Sequence, residues 1–156
     1  MLLTADHGTN VGDQPGQTTP HFGKTIPQEN EHHVPFMVSV PGAGSGESQI
    51  LVQPQDVYAT LLGIIGDGEL PEGVESFDVL TAARSGGERP RSIAVGGRGI
   101  SSWPERALDE QLFSAFDKEW YLGVTADPAA CRLQRLGTGE DVASEHPEVV
   151  ERLRTA

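Results

Sequence analysis

The sequence predicts an α/β protein in two parts, a portion of a core sheet followed by a small α+β subdomain with antiparallel strands and a terminal helix. Two apolar runs of strand length lie in the first part, and residues 55–65 carry apolar side chains at helical spacing. Several short strand-like runs and an amphipathic segment follow residue 90. We place the two parts at residues 1–86 and 87–156.

The first part begins with the apolar run Met1–Thr4, which breaks into Asp6-His7-Gly8 and indicates the end of a buried strand. The run starts abruptly, as though the strand continued upstream. Residues 8–33 are polar and predict a long irregular loop, a feature that is uncommon unless it is functional or disordered. Val34–Val40 predicts a second strand, and Gln55–Ile65 predicts a helix closed by Gly66.

The second part follows a weakly patterned stretch, and the small and polar residues 85–90 predict a junction. Asp117, Lys118 and Glu119 predict a turn that joins two strands into a hairpin. The predicted strands are Ser92–Val95, Leu112–Phe116, Trp120–Val124 and Leu133–Leu136, and Pro147–Leu153 is the predicted closing helix.

The charge is one-sided, with 11 basic against 23 acidic residues and a formal net charge of −12. This balance argues against a nucleic-acid surface and against adhesion to anionic membranes, because both need clustered Lys and Arg. No apolar stretch approaches the roughly 18–20 residues that span a bilayer, and no export signal is visible at the N-terminus. Cys131 is the single cysteine. An anionic substrate would therefore need local neutralisation by a cation and a lysine.

Asp6 and His7 form the sharpest local signal, because a carboxylate and an imidazole at the end of a strand can face one cavity. We expect Gly8 to permit the turn that follows them. The carboxylate suits a hard cation, and the pair also suits zinc or manganese. A turn aspartate beside a surface histidine is the alternative that spacing alone leaves open.

Lys24 lies in the predicted loop, where a lysine is either solvated or part of an anion site. His21, three residues earlier, could join it in recognising an anion. His32 and His33 precede the second strand, and paired histidines at a strand start more often support structure than bind metal.

These segments, taken in order, resemble the C-terminal half of sulfatases, which belong to the alkaline-phosphatase superfamily. Thr4-Ala5-Asp6-His7-Gly8 is similar to the family's T/S-x-D-H/N-G strand end, and Lys24, Glu29 and Val34-Pro35 follow at the family's spacing. Residues 56–62 resemble its D-I-x-P-T-L-L helix start, and residues 118–122 and 132–153 resemble its closing strands and helix. The resemblance covers nearly the whole chain and is weak between residues 67 and 117.

The resemblance implies that residues 1–86 form part of an alkaline-phosphatase-like core sheet. It implies that Asp6 and His7 bind a divalent cation, which is Ca²⁺ in typical sulfatases. Lys24 would be catalytic and would contact the substrate's sulfate oxygens, with His21 in the same pocket. Glu29 would support the loop rather than take part in catalysis. The implied substrate is a sulfate monoester of a small molecule or a carbohydrate.

The family's nucleophile, a formylglycine made in the motif C/S-x-P-x-R, has no counterpart here, since Cys131 lacks that context. We expect this nucleophile upstream, so that the chain is a C-terminal fragment of a sulfatase and is inactive alone. His7 in place of the usual Asn also occurs in phosphodiesterases and phosphonate monoester hydrolases of the superfamily, which would use Zn²⁺ or Mn²⁺. A non-catalytic remnant is the third reading.

Overall fold

The computed structural model describes residues 1–9, 29–66, 70–85, 90–98, 112–124 and 131–155. None of the helices in these ranges is long and apolar enough to cross a membrane. The chain forms two compact units, residues 1–6 with 35–94 and residues 7–34 with 95–156. The strands are β1 (Leu2–Thr4), β2 (Phe36–Val38), β3 (Ala94–Arg98), β4 (Leu112–Phe116), β5 (Trp120–Val124) and β6 (Cys131–Arg135), and the helices are α1 (Glu29–His32), α2 (Asp56–Ile65), α3 (Val79–Ser85) and α4 (Pro147–Arg154). The boundary expected between residues 86 and 87 stays a prediction.

The first unit contains β1 and β2, paired antiparallel with Leu3 opposite Met37. Both strands fall within the predicted apolar runs. The expectation of a buried β1 is wrong for the described residues, because Leu3 is 48% exposed and Met37 57% exposed. Each strand has one described neighbour, and both side chains of this cross-strand pair are exposed. Thr4 pairs with Phe36, which puts the carboxyl end of β1 beside the start of β2.

Helix α2 confirms the predicted helix, and Gly66 ends it in the left-handed conformation at φ 71°. Helix α3, which the sequence pattern did not predict, contacts α2. Asp78 caps it by accepting a hydrogen bond from the N–H of Leu80 at 2.9 Å. The Thr60 hydroxyl oxygen accepts a hydrogen bond from the N–H of Val79 at 3.1 Å and ties the two helices together.

The second unit is built on a sheet with the strand order β3-β4-β5-β6. The β4–β5 hairpin has the predicted bounds, and its pairing and that of β5 with β6 are antiparallel. Leu122 and Leu133 are opposite each other and fully buried. Helix α4 contacts β4 and β5 and buries Val150 and Leu153. The predicted antiparallel strands and terminal helix of the second part are confirmed.

Helix α1 lies where the sequence predicted irregular loop. A four-residue polar helix has no apolar periodicity and is not stable by itself. It forms here because long-range contacts hold it, among them a hydrogen bond of 2.9 Å from the Gly137 N–H to the Glu29 carboxylate.

Candidate functional site

Asp6 and His7 follow β1 directly, and both side chains are exposed. The two residues are neighbours in the chain, with Asp6 at the end of a segment of the first unit and His7 at the start of a segment of the second. One carboxylate and one imidazole are a chemically suitable pair of ligands for Zn²⁺ or Mn²⁺. Within the ranges that the structure describes, no group of three or more His, Cys, Asp or Glu side chains is placed to hold a metal ion. The pair could therefore supply only part of a coordination shell.

The peptide of Gly8 joins His7 to helix α1. The Nδ1 atom of His7 lies 2.9 Å from the carbonyl oxygen of Gly8. The N–H of Gly8 donates a hydrogen bond of 2.8 Å to the carbonyl oxygen of Glu31. A Cβ atom at Gly8 would overlap the carbonyl oxygen of Asn30. The glycine is required by this close approach and not by a left-handed turn, because its φ is not positive. The expectation that Gly8 is needed to permit a turn was therefore wrong.

Both ends of α1 are attached to the rest of the second unit. At its start, the Glu29 carboxylate accepts the hydrogen bond from Gly137, which agrees with the supporting role expected for this residue. At its end, Nε2 of His32 lies 3.2 Å from the hydroxyl oxygen of Ser114 on β4. Glu31, between them, is only 4% exposed. The helix is thus fixed on one side to the sheet and on the other to Gly8.

His32 and His33 have different surroundings. The ring of His32 packs against the ring of Tyr121, with centroids 5.9 Å apart. The side chain of His33 is 77% exposed and lies 3.4 Å from a carboxylate oxygen of Glu29. These contacts give both residues a structural explanation, in agreement with the expectation for paired histidines at a strand start.

Tyr121 is the most buried aromatic residue of this sheet, with 1% of its surface exposed. Its hydroxyl has no hydrogen-bond partner in the described part of the chain. Burial raises the pKa of Tyr121, and the nearby Ser114 hydroxyl acts in the opposite direction without reaching hydrogen-bond geometry. The residue is therefore neutral at physiological pH, and its position beneath α1 makes it part of the packing that supports the helix.

Lys24 and His21 lie outside the described residues, so their expected roles stay predictions. The residues that sequence reasoning missed are Asn30 and Glu31 of α1 and the anchors of this helix on β3 and β4. Their signal is weak, because Ser114 and Gly96 stand in a stretch where the resemblance is also weakest. No local sequence pattern predicts that Gly8 lies close to Asn30, because the two residues belong to separate segments of the chain.

An open groove of about 460 Å³ lies on the opposite face of the same sheet. Helix α4 covers part of this face and leaves Val95 and Phe113 half-exposed. Apolar side chains dominate the lining, which includes Val95, Phe113, Ala115, Leu122, Val124 and Leu153. Ser114 and Arg154 also line the groove, and the Ser114 hydroxyl lies 3.2 Å from Nε2 of His32.

The fold is similar to that of part of the phosphonate monoester hydrolase from Silicibacter pomeroyi, with a TM-score of 0.71 and 21% sequence identity. The similarity covers 99% of this chain and 33% of that one, so the chain spans about a third of the length of the enzyme it matches. No protein-family model and no protein of curated function matches the chain.

Proposed function

We propose that this chain is part of the catalytic domain of a metal-dependent hydrolase that cleaves monoanionic esters of sulfur or phosphorus. The observation that carries the proposal is the position of Asp6 and His7, directly after a strand of a fold shared with a phosphonate monoester hydrolase. Strand ends are the usual location of ligand sites in α/β sheets. The resemblance of the ordered segments to sulfatases supports the same position for a cation.

The proposed substrate class follows from charge. Sulfate monoesters, phosphodiesters and phosphonate monoesters each carry one negative charge at neutral pH, whereas phosphate monoesters carry nearly two. The chain has a formal net charge of −12, which makes an additional substrate charge unfavourable away from the local cations. The structural neighbour favours the phosphorus esters, and the motif order favours the sulfate esters. Both fit one site that stabilises a singly charged tetrahedral group.

Asp6 and His7 would hold the cation, which when bound neutralises negative charge on the ester oxygens. The imidazole of His7 favours Zn²⁺ or Mn²⁺ over Ca²⁺, because calcium takes oxygen ligands. Lys24 would place its ammonium group beside the same oxygens, and His21 would line the pocket. The formylglycine nucleophile of the sulfatase resemblance would come from a part of the protein that precedes this chain.

A panel of four chromogenic esters tests the proposal on the protein expressed from its complete open reading frame. The p-nitrophenyl group would be released from a sulfate, from a phosphodiester, from phenylphosphonate and, as the dianionic control, from phosphate. We expect turnover of at least one monoanionic ester above the dianion, and its loss when the metal is chelated. A protein that neither retains Zn²⁺, Mn²⁺ or Ca²⁺ nor cleaves any of them would contradict the proposal and favour the non-catalytic remnant.

Lys24→Ala tests the catalytic lysine. Removing one group that stabilises developing charge commonly costs about 100-fold or more in turnover, so we expect kcat/KM to fall by that order. Lys118→Ala is the matched control, because Lys118 is the chain's other lysine and lies on the β4–β5 turn. Equal activity of the two variants would remove Lys24 from the mechanism.

A further inference from the structure

We propose that the face of the β3–β6 sheet beneath α1 holds one buried water molecule, bound by the hydroxyl of Tyr121 and the Nε–H of Arg132. The proposal does not depend on the hydrolase function. It rests on two buried polar atoms of the second unit that have no hydrogen-bond partner within the described ranges. The water would be part of the packing on which α1 rests.

The register of the sheet puts the two side chains on the same face. Tyr121 on β5 is opposite Gln134 on β6, and Arg132 is two residues before Gln134. Cross-strand partners share a face of a sheet, and so do residues two apart on one strand. The Tyr121 ring packs against the His32 ring, which identifies this face as the one that α1 covers. Both unpaired atoms therefore belong to side chains of the α1-covered face.

Gly123 contributes no side chain to the middle of this face. In the register it lies between Ser114 on β4 and Arg132 on β6, and it follows Tyr121 by two residues on β5. Its three neighbours on the face each carry a polar group. The Ser114 hydroxyl lies 3.2 Å from Nε2 of His32 and is thereby engaged. The other two neighbours, Tyr121 and Arg132, are the ones with an unpaired atom in the described part of the chain.

The surroundings are closed to solvent, which limits the ligand to a very small molecule. Tyr121 is 1% exposed and Ser114 2% exposed. Glu31 on α1 and Gln134 on β6 are each 4% exposed. The Nε atom of Arg132 is also buried. Buried polar groups that lack a protein partner are commonly paired with internal water, which binds where several polar groups converge.

Charges of both signs act on the Tyr121 hydroxyl, which favours a neutral ligand. Burial raises the pKa of Tyr121, and the carboxylates of Glu31 and Glu29 raise it further, whereas the Ser114 hydroxyl and the Arg132 guanidinium act in the opposite direction. An anion would be repelled by the carboxylates, and a metal ion by the guanidinium. Water suits both unpaired atoms, because it can accept a hydrogen bond from Nε–H and exchange one with the hydroxyl.

A crystal structure tests the site directly, on protein expressed from its complete open reading frame and at a resolution that shows ordered water. We expect one water oxygen within about 2.7–3.2 Å of both Oη of Tyr121 and Nε of Arg132. A protein side chain in that position would overturn the proposal, as would the absence of any ordered water there. A direct bond from the Tyr121 hydroxyl to Ser114, without water, would overturn it as well.

Tyr121→Phe tests the bond to the hydroxyl through the direction of its effect. If water is bound, the variant loses a hydrogen bond, and we expect amide hydrogen exchange in β5 and β6 to become about 2- to 10-fold faster. If the hydroxyl is unpaired, its removal relieves a desolvation cost, so unchanged or slower exchange would overturn the proposal. Tyr58→Phe is the matched control, because Tyr58 is the chain's other tyrosine and is 49% exposed. We expect no change in exchange there.

Arg132→Met tests whether one water serves both atoms. The variant removes the guanidinium, including its hydrogen bond of 2.8 Å to the carbonyl of Gly139, and keeps an apolar stem. Once Arg132 no longer holds the water, loss of the Tyr121 hydroxyl should add little, so the double variant should exchange about as fast as Arg132→Met alone. Effects that multiply in the double variant would show that the two atoms bind separate partners and would overturn the shared site.

Discussion

Asp117 organises the turn between β4 and β5. One of its carboxylate oxygens accepts hydrogen bonds from the N–H groups of Glu119 at 2.7 Å and Trp120 at 2.8 Å. The other accepts a hydrogen bond of 2.8 Å from the Arg152 guanidinium on α4. Burial by itself opposes ionisation, but these three donors outweigh it and lower the pKa of Asp117 below its ordinary value. One carboxylate thereby joins the hairpin to the terminal helix.

The lowered pKa gives the stability of the second unit a predictable dependence on pH. At neutral pH the ionised carboxylate stabilises the folded state, and this contribution declines as the pH falls below the unfolded-chain pKa of about 3.9. It is lost once the pH is below the folded pKa. Asp117→Asn should therefore lower the free energy of unfolding by about 1–3 kcal/mol at pH 7 and by less at pH 3. Urea unfolding at both pH values measures the difference.

Glu140→Gln is the control for this experiment, because Glu140 is an exposed acidic residue of the segment between β6 and α4. We expect the control to change stability by less than about 0.5 kcal/mol at either pH. An Asp117→Asn effect of the same size at pH 3 and pH 7 would mean that the charge of Asp117 is not what stabilises the turn.

Single residues were predictable from the sequence where chemistry and position coincide locally. The turn at Asp117 was predictable from its composition, and the place of Asp6 and His7 after a strand was predictable from the apolar run before them. The metal-binding role of Asp6 and His7 stays a prediction. Gly8 shows where prediction from sequence neighbours fails. Its sequence neighbours suggest a turn, but its actual constraint comes from Asn30, a residue that only the folded chain brings to it.

A buried ion pair joins the start of α2 to the segment that follows α3. Asp56 is fully buried at the start of α2 and forms a bidentate pair with Arg91 at 2.5 and 3.1 Å. The same carboxylate accepts hydrogen bonds from the N–H groups of Gln53 and Phe77. The Arg91 guanidinium also lies over the Phe77 ring, 5.0 Å from its centroid. This explains the aspartate of the D-x-x-x-T-L-L segment as a structural residue.

Asp56→Ala should lower the free energy of unfolding by about 3–5 kcal/mol, because it leaves the guanidinium of Arg91 without its buried partner. The control is Arg135→Ala, which breaks the Arg135–Glu119 pair, whose side chains are 63% and 43% exposed. A pair this exposed should contribute less than about 1 kcal/mol. Urea unfolding of protein from the complete open reading frame measures both, and similar losses in the two variants would rule out a special contribution from Asp56.

Secondary-structure elements were predictable in proportion to their apolar pattern. The alternation and helical spacing of apolar residues indicated β2, α2, the β4–β5 hairpin and α4. The hairpin and α4 bury apolar side chains, whereas much of the apolar surface of α2 is exposed. Helix α1 has no such pattern, and its position depends on partners far away in the sequence. Helix α3 carried a usable signal in the capping residue Asp78, but the surrounding pattern was too short to identify it.

Large apolar side chains are exposed on the first unit of the chain. Leu61, Ile64 and Ile65 lie within one turn of α2 and are 45%, 38% and 67% exposed. Leu3 and Met37 form the exposed cross-strand pair described above. Large apolar side chains left exposed within one helical turn and on one strand pair indicate an interface with other polypeptide. The fold match, which spans a third of a longer enzyme, is consistent with that reading.

The 156-residue chain expressed alone should therefore bind a hydrophobic dye and self-associate. Replacing Leu61 and Ile65 by lysine should reduce both, because the two charges interrupt the exposed face of α2. Size-exclusion chromatography with light scattering and dye fluorescence measure the effect. A wild-type chain that is monomeric and does not bind the dye would show that this apolar surface is not part of an interface.

At this scale the sequence predicted the fold class, because the order of the segments constrains the architecture more than any single motif does. Within the proposed function, the sequence left the choice between sulfur and phosphorus esters open, because the resemblance places a histidine at the position of His7 in both branches. The geometry that selects between them depends on residues from several segments, and a linear pattern does not record their spacing.

The hydrogen bond between Gly8 and Glu31 also closes the ends of the segment that carries Lys24 and His21. Once the ends of a segment are pinned, doubling its length adds only about 0.6 kcal/mol of closure entropy. Insertions and deletions in this segment therefore cost little closure entropy, and they leave the backbone at His7 undisturbed.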